Sequence, residues 1–493
     1  MVSHILVAKS DFWVTFLFYK ICVCRKKRVI LHTKSASILM EQSKNSGFNS
    51  KLGVILAAAG SAIGLGNIWK FPYEAGQNGG GAFLLVYLLC VILFGMPLLM
   101  TEILIGRKAG KSTFSAFRAI SGNNRWQWLG WFSALTVLIL TGFYFVVTGW
   151  CVNYLYEAVV NSYAGMGTDE LLTHFTANMS NAPKMIICAI IPVLCTAAIL
   201  WFGVSSGIER LSKILMPLLL IMMSLMVVRV LLLEGSGEGL KFFFHPDFSH
   251  ITPSVFMEAA GQCFFSLSVG LGLMITYGAY MPKEQDVTKT SFQVILLDTL
   301  VAVLAGVIIF PAVFAFGFDP AEGPQLVFVV LPAVLQHMSF AWLSGVAFFT
   351  LLFIAALTST ISLMEVIVTS IMEMSRGKLN RHYSVLIATA VICVFVAIYV
   401  LSMTGVWSGL QICGHNLFDL SDTLVTTFMM PLSALAMSLF IGWFMPFRDN
   451  DLVPHSRKRY KQWLRPLFVF TLRWIVPIAI VLIFLNGLGI FNL

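Results

Sequence analysis

An apolar stretch at residues 51–73 is interrupted by three glycines within seven residues: Gly60, Gly64 and Gly66. Glycine costs about 1 kcal/mol in a helix interior, so this stretch makes a poor continuous helix. Backbone that unwinds at membrane depth must be packed in protein or line a polar cavity. The carbonyl groups near Gly60, Ala62 and Ile63 would then be free to bind a hard cation. A competing hypothesis is that small residues simply let helices pack closely.

Oxygen-bearing side chains elsewhere in the chain can complete such a site. Asn67 follows the glycines, and Ser266 lies in a second glycine-rich apolar run. Asp298 is a lone carboxylate in an apolar span, which is costly and usually functional; the alternative is a paired structural role. Thr358 and Ser359 offer adjacent hydroxyl groups in another apolar span. For these two residues the alternative is back-bonding to their own helix.

The amino-acid composition indicates the class of protein in which these residues are held. Hydrophobic residues make up 58% of the 493 residues, charged residues only 11%, and the mean hydropathy is +0.86. Such a chain is a polytopic membrane protein and not a soluble globule. A helical span needs roughly 20 apolar residues, so the length accommodates about eleven spans. The expected fold class is therefore all-α, with about eleven transmembrane helices.

The spans follow from the apolar runs and the loops between them. They are expected at about 51–73, 83–105, 128–160, 184–202, 211–232, 253–281, the run around Asp298, 340–373, 384–401, 419–443 and 467–485. The first and the sixth contain glycine-rich breaks, the second break lying between Gly261 and Gly272. Spans that stand five apart have opposite orientations, as an inverted repeat requires. We expect a 5+5 inverted repeat, at about 51–232 and 253–446, with helices 1 and 6 broken.

Charge predicts the orientation of the chain in the bilayer. The net charge is +9, and Lys and Arg are concentrated in the loops after spans two, six, eight and ten. The N-terminus is therefore expected in the cytoplasm and, with an odd number of spans, the C-terminus outside. A nucleic-acid partner is not expected, because it would require the basic residues on one soluble face. The nine cysteines lie mostly in apolar runs without metal-ligand spacing, which is typical of membrane or core residues.

Residues 1–39 fit this pattern badly. An apolar run too short to span, residues 12–19, precedes a basic cluster at residues 25–28, which is the reverse order of a secretory signal. Met40 is the expected functional start, and residues 1–39 are interpreted as an extension outside the fold.

Five motifs together carry a resemblance to a known family: GSAIGLGNIWKFPY, NGGGAF, FFSLSVGLG, ALTST and FDLSD. From about Met40 to its C-terminus, the chain resembles the neurotransmitter:sodium symporter family. It is similar to the bacterial amino-acid symporter branch, which includes the bacterial leucine transporter. The resemblance implies a transporter domain at residues 40–493, two sodium ions and no organic cofactor.

The resemblance implies two sodium sites. The first would use the Ala62 carbonyl, the side chains of Asn67, Ser266 and Asp298, and the carboxylate of the substrate. The second would use the carbonyls of Gly60, Ile63 and Ala355 and the hydroxyls of Thr358 and Ser359.

It also implies a substrate site. The substrate carboxylate would meet the amides from Gly64 to Gly66 and the Tyr144 hydroxyl. The substrate amine would meet carbonyls near Ala62, Phe265 and Ser268, and its side chain would face Phe265, Leu271, Ser359 and Leu363. For Tyr144, Phe265 and Leu271 taken singly, ordinary helix packing is the alternative.

Departures from the family's pattern narrow the substrate. Monoamine transporters of the family have an aspartate where this chain has small and apolar residues around Gly64, so the substrate must bring its own carboxylate. Asp298 stands where many relatives have asparagine, and its charge can replace the anion of chloride-dependent members. Chloride is therefore not expected to be required. Leu271 replaces an aromatic ring, which favours medium to large apolar or aromatic amino acids.

Two gates are also altered. In the external gate, Lys70 replaces the family's arginine opposite Asp422, and lysine lacks the planar bidentate geometry of arginine. We therefore expect a looser or water-mediated external gate. In the internal gate, Glu373 remains as the acidic partner, but Asn45 and Phe48 match the family's arginine and tryptophan. Closure on the cytoplasmic side is expected to be weaker.

The sequence therefore predicts sodium-coupled symport of a neutral, hydrophobic or aromatic amino acid by alternating access. The expected location is a multi-pass position in the bacterial inner membrane, with the amino acid, sodium and the lipid bilayer as partners. The alternatives are a proton-coupled or exchange-type amino-acid transporter and a transporter-like amino-acid sensor. An enzyme is the least favoured class, because the sequence shows no nucleophile–base pair or metal constellation.

Overall fold

The computed structural model describes residues 47–321, 326–337, 340–407, 409, 411, 412, 414–445 and 464–487. A compact unit begins at Phe48. The extension expected at residues 1–39 lies outside the described residues, as does Asn45 of the expected internal gate.

Apart from one isolated bridge between Ile412 and His415, the regular elements of the described residues are helices. In chain order they are α1 (Lys51–Ala62), α2 (Gly66–Gln77), α3 (Gly81–Ala109), α4 (Thr113–Ser121), α5 (Asn124–Val160), α6 (Thr168–Ser180), α7 (Ala182–Trp201), α8 (Val204–Leu231), α9 (Ser236–Phe244), α10 (Pro253–Ser266), α11 (Leu273–Tyr280), α12 (Val287–Ala315), α13 (Leu326–Gln336), α14 (Ala341–Met374), α15 (Arg381–Met403), α16 (Leu417–Phe444) and α17 (Pro466–Leu485). The all-α polytopic class predicted from the sequence is confirmed.

Nine of these helices are long and apolar enough to cross a bilayer within the described part of the chain. Helices α1 and α2 meet at 50° across a short break and together make a tenth span. Helices α10 and α11 are separated by residues 267–272, which form turns. An eleventh span requires these two helices to act as one interrupted element, so the count of eleven stays a prediction.

Burial separates central helices from peripheral ones. The most apolar stretch of α14 is 94% buried inside the protein, whereas that of α8 is only 28% buried. Helix α14 packs against α1, α5, α7, α8 and α15, so it lies at the centre of the bundle. The first break and α14 therefore face each other inside the protein, away from lipid.

The first break is later and shorter than the glycine pattern predicts. Helix α1 is capped by Ser50, whose hydroxyl accepts the Gly53 N–H at 3.0 Å, and it continues through Gly60 to Ala62. Ile63 then has extended backbone angles, φ −68° and ψ 114°, which end the helix. Gly60 is therefore helical, and the unwound residues are Ile63 and Gly64.

The second break depends on left-handed backbone. Ser268, Gly270 and Gly272 have positive φ values of 52°, 89° and 76°, which terminate α10 and reorient the chain into α11. The side chain of Glu102 on α3 holds this loop, since it accepts the N–H of Gly270 at 2.7 Å and that of Met274 at 3.2 Å. The expected break at residues 261–272 is thus shortened to 267–272, because Gly261 is part of α10.

Several helices contain π-helical segments that precede a proline. Five such segments end two residues before Pro72, Pro97, Pro332, Pro431 and Pro477. Proline has no N–H and its ring presses against the carbonyl four residues earlier, which disrupts the α-helical ladder. A wider π turn accommodates this carbonyl without ending the helix. These segments mark points where a helix departs from regular geometry.

Four short helices were not predicted from the sequence: α4, α6, α9 and α13. They lie in regions interpreted as loops or left unassigned, because hydropathy detects only elements long enough to span a bilayer.

Candidate functional site

A cavity of about 350 Å³ lies where the two helix breaks face α5, α14 and α16. Its lining includes all nine residues that the resemblance placed around the substrate: Ala62, Gly64, Gly66, Tyr144, Phe265, Ser268, Leu271, Ser359 and Leu363. Four further residues complete the lining: Ser61, Leu140, Leu273 and Met430. Sequence reasoning missed these four because small or apolar residues in apolar spans carry no distinguishing signal. A lining of apolar side chains with a few polar groups is typical of a small-molecule site.

The amides of the first break lie at the wall of this cavity, where they donate to polar side chains. The Leu65 N–H donates to the Tyr144 hydroxyl at 3.1 Å, and the Gly64 N–H donates to Oδ1 of Asn67 at 3.1 Å. Gly64 has no room for a side chain, because an added Cβ would overlap the Ser359 hydroxyl and lie 2.7 Å from the Tyr144 hydroxyl. The N-terminus of α2 adds its positive dipole end, so this region suits an anionic group such as a carboxylate.

Most of the remaining lining is apolar. The apolar side chains that line the cavity are those of Leu140, Phe265, Leu271, Leu273, Leu363 and Met430. A ligand that fits both the polar first break and the apolar lining has a charged or polar head group and an apolar side chain.

Three predicted cation ligands form one buried cluster beside the cavity. Asn67 Nδ2 donates to Oδ1 of Asp298 at 2.8 Å and to the Ser266 hydroxyl at 2.9 Å. The Ser266 hydroxyl in turn donates to Oδ2 of Asp298 at 2.9 Å. All three side chains are at most 1% exposed. The sequence therefore identified residues that are up to 231 positions apart in the chain but adjacent in space.

The amide of Asn67 is oriented for this hydrogen-bonded arrangement. Its oxygen accepts the Gly64 N–H, while its nitrogen faces Asp298 and Ser266. For the oxygen of Asn67 to bind a cation in the cluster, the amide group must rotate. The carboxylate of Asp298 and the hydroxyl of Ser266 need no such change.

The charge of Asp298 is not balanced by a basic side chain in the part of the chain that the structure describes. Its partners there are neutral: Asn67, Ser266 and, through Ser266, the Tyr87 hydroxyl at 3.3 Å. A buried carboxylate without a positive partner is strongly disfavoured. A bound cation would remove this cost, so the cluster fits a cation site.

A second predicted ligand set also converges. The hydroxyls of Thr358 and Ser359 on α14 reach the Ile63 carbonyl, at 3.4 and 3.2 Å. Thr358 also donates to the Ala355 carbonyl at 2.9 Å, which is the back-bonding that the sequence left open. Gly60 packs on the same side chain, since an added Cβ would lie 3.5 Å from Cβ of Thr358. Hydroxyl and carbonyl oxygens converge here, as a hard cation requires.

The chemistry of both sets excludes the usual transition-metal sites. Among the residues that the structure describes, no three His, Cys, Asp or Glu side chains are grouped to hold a metal ion. Oxygen ligands without thiolate or imidazole select hard cations of the alkali or alkaline-earth type.

A second cavity of about 460 Å³ contains the residues of the expected external gate. Lys70 and Asp422 both line it, but they form no ion pair with each other. The Lys70 ammonium instead lies 4.7 Å from the centre of the Phe265 ring, and Phe265 also lines the central cavity. The looser gate expected for lysine in place of arginine stays a prediction.

Aromatic rings surround this second cavity, and the sequence did not single them out. The Trp69 ring contacts Trp150 at 6.4 Å and Phe328 at 6.2 Å between centroids. Phe328 belongs to α13 and stacks on Phe175 of α6, so two of the short helices bring aromatic side chains against this region.

On the expected cytoplasmic side, Glu373 accepts the Ser112 N–H at 2.9 Å. Phe48 is buried and packs edge-on against Tyr277 and Tyr280 at 5.7 and 6.2 Å between ring centroids. Phe48 therefore holds the start of the compact unit against α11.

A nearby ion pair escaped the sequence analysis. Arg381 forms two hydrogen bonds to the fully buried Glu365, at 2.9 and 2.6 Å, and Tyr280 donates to the same carboxylate at 2.7 Å. Arg381 Nε also donates to the Leu200 carbonyl at 2.8 Å. This network joins α7, α11, α14 and α15 and was missed because its members belong to no common motif.

Comparisons with known proteins add independent information. The model of the sodium:neurotransmitter symporter family matches residues 45–173 and 170–491. An uncharacterized sodium-dependent transporter of Bacillus subtilis, YhdH, is 36% identical over 456 residues, which cover 92% of this chain and 100% of that protein. An uncharacterized sodium-dependent transporter of Haemophilus influenzae is 33% identical, covering 90% of this chain and 98% of that protein.

Among solved structures, the crystal structure of MhsT in complex with L-phenylalanine is similar to this chain. The TM-score is 0.81 and the identity 36%, and the match covers 90% of this chain and 99% of that one.

Proposed function

Because the chain belongs to the sodium:neurotransmitter symporter family, we propose that it couples sodium entry to the uptake of a neutral amino acid with an apolar or aromatic side chain. The family is one of transporters, which agrees with the many apolar helices of this chain. The single observation that carries the proposal is the adjacency of the Asp298 cluster and a cavity with both donor groups and an apolar lining.

The first sodium ion would bind the carboxylate of Asp298, the Ser266 hydroxyl and the Ala62 carbonyl. The substrate carboxylate, held by the Tyr144 hydroxyl and the amides of the first break, would complete this site. An ion and a substrate that share a contact each favour the binding of the other. This sharing is the physical basis proposed for coupling.

The second sodium ion would bind between α1 and α14, at the carbonyls of Gly60, Ile63 and Ala355 and the hydroxyls of Thr358 and Ser359. An ion at this position ties the first break to the central helix. Its release would loosen this contact and permit opening toward the cytoplasm, as alternating access requires.

Chloride is not required in this proposal. The buried charge of Asp298 supplies the anion that balances the first sodium ion. Replacing chloride by gluconate is therefore expected to leave uptake unchanged, and loss of uptake would contradict this part of the proposal.

The apolar lining and the relative's ligand support the substrate class. MhsT has been crystallised with L-phenylalanine, and its structure aligns with nearly all of this chain. In this chain the substrate side chain would face Phe265, Leu271 and Leu363. We further propose a bacterial inner-membrane location with a cytoplasmic N-terminus, and that residues 1–39 are an extension outside the transporter domain.

Uptake into proteoliposomes with a panel of labelled amino acids tests this proposal. Accumulation of leucine, phenylalanine or tryptophan that requires an inward sodium gradient is the expected result. Uptake at the same rate without sodium would favour a proton-coupled or exchange-type transporter. Sodium-dependent binding without accumulation would favour a sensor.

A further inference from the structure

Met430 on α16 lies between two cavities. It lines the central cavity of about 350 Å³ and also a third cavity of about 700 Å³, which lies between α2, α10, α16 and α17. Among the residues that the structure describes, only Phe265 and Met430 belong to both linings. Met430 itself is 1% exposed, so it is packed within the wall that separates them.

The backbone around Met430 is irregular. The π-helical segment Leu424–Met429 ends immediately before it, and Pro431 follows it. Pro431 cannot donate a hydrogen bond to the preceding turn, and π segments of this kind are frequent at functional sites. The Met430 carbonyl faces Gly270, where an added Cβ would overlap it, so the second break approaches α16 closely at this residue.

The chemistry of methionine suits an adjustable wall. Its unbranched thioether side chain has three rotatable bonds and fills irregular gaps. The cavity beyond the wall offers space into which such a side chain can move. Phe265 is a rigid ring that also contacts the Lys70 ammonium, so it is the less adjustable of the two shared residues.

Resting on the proposed function, we infer that Met430 determines how large a substrate side chain the central cavity accepts. A leucine-sized side chain leaves Met430 in place. An indole ring displaces the Met430 side chain toward the third cavity. Selectivity for tryptophan over leucine therefore depends on the length and flexibility of this one side chain.

The test compares kcat/KM for tryptophan with kcat/KM for leucine in sodium-driven proteoliposome uptake. Met430→Ile replaces a flexible side chain with a β-branched one and is expected to lower the tryptophan-to-leucine ratio at least about fivefold. Met430→Ala removes the wall side chain and is expected to raise the same ratio. Because the readout is a ratio within one variant, partial loss of folded protein cancels.

Met437 provides the matched control. It lies on the same helix, is also 1% exposed, and lines neither cavity. Met437→Ile and Met437→Ala should therefore leave the ratio unchanged. An unchanged ratio in both Met430 variants, or an equal change in the Met437 variants, overturns the inference. Absence of sodium-driven uptake of any neutral amino acid by the unsubstituted protein would instead overturn the proposed function.

Discussion

At the scale of single residues, we propose that Asp298 determines the ion chemistry of the central site. It is fully buried, and its described partners are neutral donors. An isosteric amide at this position keeps the volume and loses the charge. Replacing Asp298 with asparagine therefore removes the effects of its charge and keeps the effects of its packing.

We expect Asp298→Asn to weaken sodium activation of uptake at least about tenfold, because the attraction between the carboxylate and the ion is lost in a low-dielectric site. The sodium concentration for half-maximal uptake measures this effect. Glu157→Gln is the control, since Glu157 is also buried but pairs with Lys184 at 2.9 Å and lies outside the site. Equal sodium activation in Asp298→Asn and the unsubstituted protein would contradict the assignment.

The hydroxyl groups of Thr358 and Ser359 are also tested at the scale of single residues. Their neighbour Thr360 is the control, because its hydroxyl takes part in helix packing and not in the proposed sodium site. Replacing both Thr358 and Ser359 by alanine removes two oxygen ligands, so sodium-driven uptake should fall at least about tenfold. Thr360→Ala removes an equally buried hydroxyl that bonds to its own helix and to Thr196 at 3.0 Å. Sodium-dependent uptake should survive in Thr360→Ala. Wild-type sodium dependence in the double variant would exclude the second site.

At the scale of elements, the two breaks create the site, and the sequence located them only approximately. Glycine density indicated that the spans at residues 51–73 and 253–281 must unwind. Gly60 and Gly261 nevertheless remain helical, because neither position requires a positive φ in the folded chain. A glycine is required at a helix break where another element approaches too closely for a Cβ. Such an approach involves elements that are distant in the chain, so a single sequence does not reveal it.

The second break allows a direct comparison of two glycines. Gly270→Ala should destabilise the protein by more than about 1 kcal/mol and abolish uptake, because φ is 89° and the added Cβ would overlap the Met430 carbonyl. Gly261→Ala should be neutral or stabilising by up to about 1 kcal/mol, since it lies in α10 with nothing within 4 Å of the added Cβ. Thermal unfolding of both purified variants measures the difference. The reverse order of stability would contradict the backbone description.

At the scale of the whole molecule, a buried ion pair joins helices on the expected cytoplasmic side. Arg381 and Glu365 connect four helices through hydrogen bonds shorter than 3.0 Å. Sequence motifs predicted the fold and the residues around the central cavity, but neither Arg381 nor Glu365 belongs to such a motif. Their partners are set by the three-dimensional packing of separate helices.

Arg381→Gln should lower the free energy of unfolding by about 3 kcal/mol, because Glu365 is left as a buried charge without its partner. The double variant Arg381→Gln with Glu365→Gln should recover much of this loss, since both charges are then absent. Thermal unfolding of the single and double variants tests the coupling. If the two single losses simply add in the double variant, the pair contributes no interaction energy.

The unbalanced charge of Asp298 also has an electrical consequence for the complete cycle. In the proposed cycle, the site with two sodium ions, a zwitterionic substrate and the ionised Asp298 would carry a charge of about +1, and after release about −1. A membrane potential that is negative inside therefore favours both half-cycles, drawing the loaded site inward and returning the empty site outward. Each half-cycle gains about 2.3 kcal/mol per 100 mV for every full charge that crosses the whole field. In the proposed cycle, one buried carboxylate would thus divide the electrical driving force evenly between substrate delivery and the return of the empty site.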